Sequence, residues 1–201
     1  STPKPSSAAS DVYKRQAVGV ASLLWLGVKA RFKWLQPLFL FKFCIIMERK
    51  EIIRRLGKYF TLPELVCPHV YNKYSESQIW SFFTTEALET LLVLREEIIC
   101  KPFIINNWKN GGSYSQRGLR CNVCVLCKEK TMLEKPYMSA HALGRAFDIT
   151  VSGMEAEAAR KIIIDDSDKL PYPIRLEDGV SWLHVDTMDL CNGKKVTLFK
   201  A

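Results

Sequence analysis

His141 and Asp148 sit in the run Ser139-Ala-His-Ala-Leu-Gly-Arg-Ala-Phe-Asp148, and His184 follows in Trp182-Leu-His-Val-Asp186. Two imidazoles and a carboxylate are the donor types that hold a single zinc ion while leaving a fourth position to water, the arrangement catalytic zinc requires. The chain has three histidines in all, so placing two of them in one pair of motifs is informative. To bind metal the imidazoles must be neutral and the carboxylate ionised, so affinity should fall as pH drops through the histidine range. Taken singly, either histidine also reads as an ordinary structural residue.

The strand period supports convergence. If Ser181–Thr187 is extended, Trp182, His184 and Asp186 share one face, while Leu183 and Val185 face apolar packing. On an Arg145–Val151 strand, Ala146, Asp148 and Thr150 share a face in the same way. Two neighbouring strands then present Asp148 and His184 to one point. His141 reaches that point from the preceding turn, where Gly144 permits a bend.

A second cluster is Cys121-Asn-Val-Cys124-Val-Leu-Cys127. Three thiolates at this spacing suit the start of a structural zinc or iron–sulfur site. No fourth ligand stands at a standard offset, although Cys100, Cys191 and His69 are available. On a helix the three would lie roughly on one face as small buried apolar residues, and packing is the expectation. His69, in Cys67-Pro-His69, reads as a structural histidine.

Ser-x-His-x-x-Gly-x-Ala-x-Asp followed by Trp-x-His-x-Asp resembles the zinc D-alanyl-D-alanine carboxypeptidases and their relatives, including phage endolysin peptidases and the hedgehog signalling domain. The resemblance covers about Tyr59–Leu190. It implies one zinc per domain, held by His141, Asp148 and His184 on the sheet of a small α+β domain. It also implies short D-amino-acid-containing peptides of the bacterial cell wall as substrates. The site of action would then be the periplasm or extracellular space, or the wall of a phage-infected cell.

Such chemistry needs a carboxylate to take a proton from water and pass it to the leaving amine. Many of these peptidases carry Glu or Asp three residues before the last ligand, where this chain has Ser181. Others carry His two residues before it, where this chain has Trp182. The candidates left are Glu177, Asp178 and Asp186. Glu177 comes first, because a hedgehog-type Glu lies at similar remove. Asp186 shares the face of His184 and serves either as base or as an orienter of that ligand. Ser139 is similar to a family serine that helps hold substrate, and alternatively caps a turn. Arg117 and Arg120 lie near the place of a family arginine that grips the substrate carboxylate, a task suited to a guanidinium fork. The family's usual Ser-Gly-Tyr-Arg run is absent.

The elements around these residues predict an α+β domain, with helices packed on a small antiparallel sheet. Met47–Tyr59 reads as a basic helix, and Phe60-Thr-Leu-Pro-Glu-Leu as a turn into another. Thr85–Cys100 carries an apolar stripe at helical spacing, ended by Pro102. Phe103–Trp108 reads as a strand and Asn110–Arg120, with three glycines, as a loop. Ser152-Gly-Met-Glu155 reads as a capping box opening a helix to about Asp165. Asn192-Gly193 predicts a type I′ hairpin between Trp182–Cys191 and Lys194–Lys200.

Residues 1–46 form a separate segment outside the expected zinc peptidase domain of 47–201. Ser1–Gln16 is small and polar, reads as disordered, and resembles translated adapter text. Ala17–Ala30 and Leu35–Met47 are apolar, which fits either a targeting segment or an upstream extension, since the first methionine is Met47. Neither reaches the ~20 apolar residues of a membrane span. Of the formal charge of +8, +6 resides here, as Lys4, Lys14, Arg15, Lys29, Arg31, Lys33 and Lys42 stand against Asp11 alone. The rest is nearly neutral, which argues against a nucleic-acid partner. Seven cysteines without a pairing framework fit a reducing compartment. The expected activity is zinc-dependent cleavage of peptidoglycan peptides, as a carboxypeptidase or endolysin. The alternative is a hedgehog-like module that keeps the metal and only binds.

Overall fold

A computed structural model describes residues 47–132 and 136–200. The readings of residues 1–46, as disordered, apolar or targeting sequence, lie outside the described residues. Among the described residues, seven α-helices accompany a five-stranded sheet. The helices are α1 (Arg49–Leu56), α2 (Leu62–Leu65), α3 (Pro68–Lys73), α4 (Glu76–Ser81), α5 (Thr85–Val93), α6 (Val125–Thr131) and α7 (Ala156–Asp165). The strands are β1 (Phe103–Ile104), β2 (Ala146–Val151), β3 (Ile174–Glu177), β4 (Leu183–Asp186) and β5 (Val196–Phe199), in the order β1-β2-β4-β3-β5.

Alternation divides the sheet into two chemically different faces. Phe147, Ile149 and Val151 of β2, Leu183 and Val185 of β4, and Ile174 and Leu176 of β3 are buried on the apolar face. Ala87 and Leu91 of α5, with Leu94 just beyond it, meet Phe147, Ile149 and Val185 there. Burial of each such aliphatic side chain contributes about 1.5–3 kcal/mol. Helix α5 starts where Thr84 Oγ1 accepts the Ala87 N–H at 3.2 Å, and it runs on as a wider π turn through Leu94–Ile98. Helix α7 packs on β2 and β4, burying Ala159 and Ile163. The opposite face is left for polar side chains.

Several expectations need correction. The sheet is mixed, because β5 pairs parallel with β3. The Asn192-Gly193 hairpin does not form. Strand β4 is already flanked by β2 and β3, so no edge remains for the returning chain, which crosses to the far side of β3. Asn192 Oδ1 instead accepts the Lys194 N–H at 3.0 Å within a local turn. The strand expected over Phe103–Trp108 shrinks to Phe103–Ile104, and Trp108 opens a 3₁₀ turn. No capping box opens α7; Glu155 occupies its N-cap position without a side-chain cap. Among the described residues, no helix is long and apolar enough to cross a membrane.

Candidate metal centre

The register of the two central strands sets Asp148 directly opposite His184. Opposed residues of antiparallel strands share a face, so both side chains leave the sheet on its polar side. His141 is delivered by the turn before β2. Arg145 N–H closes that turn on Ala140 O at 2.9 Å, and Thr84 N–H grips Gly144 O at 3.1 Å. Gly144 has φ +66°, and a Cβ there would lie 2.0 Å from the Phe82 carbonyl oxygen. Only glycine satisfies both conditions.

The three side chains each offer one donor atom, all within 4.8 Å of one another. His141 Nε2 lies 3.3 Å from Asp148 Oδ2, and His184 Nδ1 lies 2.7 Å from Asp148 Oδ1. The remaining ring nitrogens are committed elsewhere. Gly118 O can only accept, so His141 Nδ1–H donates to it at 3.0 Å. His184 Nε2–H donates to Asp186 Oδ2 at 3.0 Å. Each imidazole is thereby turned with one nitrogen toward Asp148, the orientation that outer partners impose on metal-binding histidines. The donor set fits a metal ion.

Electrostatics put Asp148 and His141 in the forms that metal binding requires, whereas His184 holds a proton that an ion must displace. Burial disfavours the Asp148 carboxylate, but hydrogen bonds from His141 and His184 outweigh it and hold the group well below the usual carboxylate range. Burial pushes His141 down, so its neutral form is favoured. Burial acts likewise on His184, yet its hydrogen bonds to Asp148 and Asp186 prevail and raise it to about 9.

Asp186 is not placed as a base. It has no exposed side-chain surface, and its two oxygens are held at 2.9 Å by Nε and Nη2 of Arg175. Its contact is with the nitrogen of His184 that faces away from Asp148. Glu177 ends β3. That strand pairs Arg175 with Asp186 and Leu176 with Val185, and the same register carried one residue further sets Glu177 beside His184 on the polar face. The Glu177 carboxylate makes no hydrogen bond or ion pair among the described residues, and it is half-buried. Its backbone is fixed by Arg160, whose buried guanidinium donates to the carbonyls of Glu177, Val180 and Trp182 at 3.3, 3.0 and 3.1 Å.

A cleft of about 240 Å³ opens beside Asp148, lined by Tyr114, Gln116, Arg117, Leu126 and Trp182 among others. Arg117 lies flat over the Tyr114 ring at 3.5 Å and donates to Thr150 Oγ1 at 2.7 Å. Arg120 does not line this cleft. It is buried, with Nη2 3.5 Å from Asp148 Oδ2 and Nε without a partner. Ser139 is half-buried in the turn before His141, where its carbonyl accepts the Leu143 N–H at 3.1 Å.

The cysteines depart from the packing expectation. Cys121 and Cys124 precede α6 rather than riding on it, and they meet Cys67 and His69, with one donor atom from each within 4.8 Å of the others. Cys127 alone is simply buried on α6. Residues that sequence reasoning missed are Cys67, Arg160 and Arg175. Cys67-x-His69 beside Cys121-x-x-Cys124 was a usable signal for the first, whereas the two arginines announce themselves only through tertiary contacts. Comparison with protein-family models, with curated proteins and with solved structures finds no match.

Proposed function

We propose that the chain is a zinc-dependent peptidase of the D-alanyl-D-alanine carboxypeptidase kind, acting on the peptides of bacterial peptidoglycan. The observation that carries this reading is the meeting of His141, Asp148 and His184 around one point, with Asp148 also lining a cleft. The unpaired Glu177 carboxylate on the same face adds to it.

His141 Nε2, Asp148 and His184 Nδ1 would hold the ion. When bound, zinc would polarise the scissile carbonyl and bring the pKa of a coordinated water to about 7. Glu177 takes the proton of the attacking water and returns it to the leaving amine. Asp186, fixed by Arg175, orients His184 and keeps its Nε2 protonated. Arg117, stacked on Tyr114 within the cleft, presents the fork that receives a substrate carboxylate. Arg120 supports Asp148 from behind and takes no substrate role.

The test is to incubate the full chain with purified peptidoglycan, with and without a chelator, and to measure released amines. Metal-dependent release supports the peptidase. Absence of release from a chain carrying zinc on His141, Asp148 and His184 would overturn it in favour of a hedgehog-like binding module.

A further inference from the structure

Cys67, His69, Cys121 and Cys124 come from two segments far apart in the chain. Cys67 and His69 flank the start of α3, while Cys121 and Cys124 close a tight turn in which Cys124 N–H donates to Cys121 O at 3.1 Å. The segments are joined by backbone: Leu119 N–H donates to Leu65 O, and Cys67 N–H to Leu119 O, both at 2.9 Å. Cys67 Sγ lies 3.9 Å from Cys121 Sγ, which lies 3.9 Å from Cys124 Sγ; Cys124 Sγ lies 3.6 Å from His69 Nδ1.

These separations decide what the cluster is for. A disulfide needs sulfurs about 2.05 Å apart, and none of the six described cysteines is so bonded. Ligands at the corners of a tetrahedron around zinc, with Zn–S of about 2.3 Å and Zn–N of about 2.0–2.1 Å, stand roughly 3.8 Å apart for two sulfurs and about 3.6 Å for sulfur and nitrogen. The observed spacings match both values. Simple packing of small apolar side chains gives no reason for a fourth member to be an exposed histidine turning Nδ1 inward.

We propose that Cys67, His69, Cys121 and Cys124 form a second metal site, a closed Cys₃His centre that binds Zn²⁺ for structure. Four protein ligands leave no position for water, so the centre staples rather than catalyses. What it staples is the strip from Arg117 to Cys124. Within that strip, Gly118 O orients His141, Arg117 O accepts the Asp148 N–H at 2.8 Å, and Arg120 backs Asp148. The second metal thus holds in place the wall on which the candidate hydrolytic site is built.

Cobalt(II) tests this on the full chain, because only thiolate ligands give an intense sulfur-to-cobalt charge-transfer band in the near ultraviolet. Metal-free protein kept reduced and titrated with Co²⁺ should show that band at one equivalent, and Zn²⁺ should displace it. The band should survive in a His141→Ala/His184→Ala variant, weaken in Cys121→Ser and in Cys124→Ser, and disappear when Cys67, Cys121 and Cys124 are all replaced by Ser. In the unaltered chain, the band together with failure to cleave peptidoglycan in the presence of zinc would uphold this centre and remove only the hydrolytic reading. Alkylation of the unaltered chain gives a readout independent of variant folding: Zn²⁺ should protect Cys67, Cys121 and Cys124 while the exposed Cys100 and Cys191 still react. Cobalt bound without the band, or equal labelling of all five cysteines with and without zinc, would overturn the proposal.

Discussion

His141 Nδ1 lies 3.0 Å from the carbonyl oxygen of Gly118, and the same glycine sits against the backbone of Leu65. A Cβ on Gly118 would fall 1.9 Å from the Leu65 carbonyl oxygen, so backbone must move to admit any side chain. Gly118→Ala should therefore destabilise the fold by about 1–3 kcal/mol, seen as a lowered midpoint in denaturant unfolding. Because the displaced carbonyl is the partner of His141, zinc affinity at the His141–Asp148–His184 site should fall about 10- to 100-fold. Competition with a chromogenic chelator measures it. Unchanged stability would mean that the Leu65 contact is not tight.

Asp186 and Glu177 are distinguished by opposite signatures. Asp186→Asn weakens the acceptor for His184 Nε2–H and strips Arg175 of its carboxylate partner. The expected result is a 10- to 100-fold loss of zinc affinity, with turnover largely restored at saturating zinc. Abolished turnover at full zinc occupancy would instead make Asp186 the base.

Glu177→Gln should do the reverse. The amide keeps the shape but accepts no proton, so turnover on peptidoglycan should fall about 10²- to 10⁴-fold. Metal analysis should still find zinc at its original stoichiometry. Full activity would take Glu177 out of the mechanism.

Arg160 is the device that holds the Glu177–Trp182 loop. Three carbonyls depend on one buried guanidinium, while its partner Glu157 is largely solvent-exposed and adds little. Arg160→Met keeps the apolar stem and leaves those carbonyls without donors, at an expected cost of about 2–4 kcal/mol. Thermal unfolding gives the stability change. Turnover should drop with it, while zinc binding stays intact.

The centre was legible because its rule is local and periodic. A period of two places Asp148 and His184 on matching faces, and glycine at position 144 marks the turn that swings His141 over them. The β5 pairing was not, since Asn192-Gly193 carries turn chemistry but no information that both edges of β4 are taken. Arg175 is recognisable as the partner of Asp186 only once β3 is known to lie beside β4. The cluster of Cys67 with Cys121 depends on a long-range parallel contact between Val66 and Leu119, which no window of sequence displays. What sequence conveyed was short-range phase; what it withheld was which strips of chain become neighbours.

Protonation of His184 yields a further prediction, for metal-free protein. Its pKa is raised to about 9 by Asp148 and Asp186 against the opposing effect of burial. A raised imidazole contributes stability that is fully present below its ordinary value of about 6.5 and is lost as pH climbs toward 9. The loss over that window should be about 3 kcal/mol. Cys67 has the opposite slope, since a hydrogen bond from Cys124 lowers its thiol to about 5, and a depressed acid adds stability as pH rises toward its ordinary value. The two are separated by comparing the chelated wild type with chelated His184→Gln in denaturant unfolding from pH 6.5 to 9. The stability advantage of wild type should shrink across the window by roughly that amount. Zinc competes with the same proton, so its affinity for the His141–Asp148–His184 site should rise about tenfold per pH unit until His184 is neutral. A wild-type advantage that stays constant from pH 6.5 to 9 would show that His184 is not charged in the folded, metal-free chain.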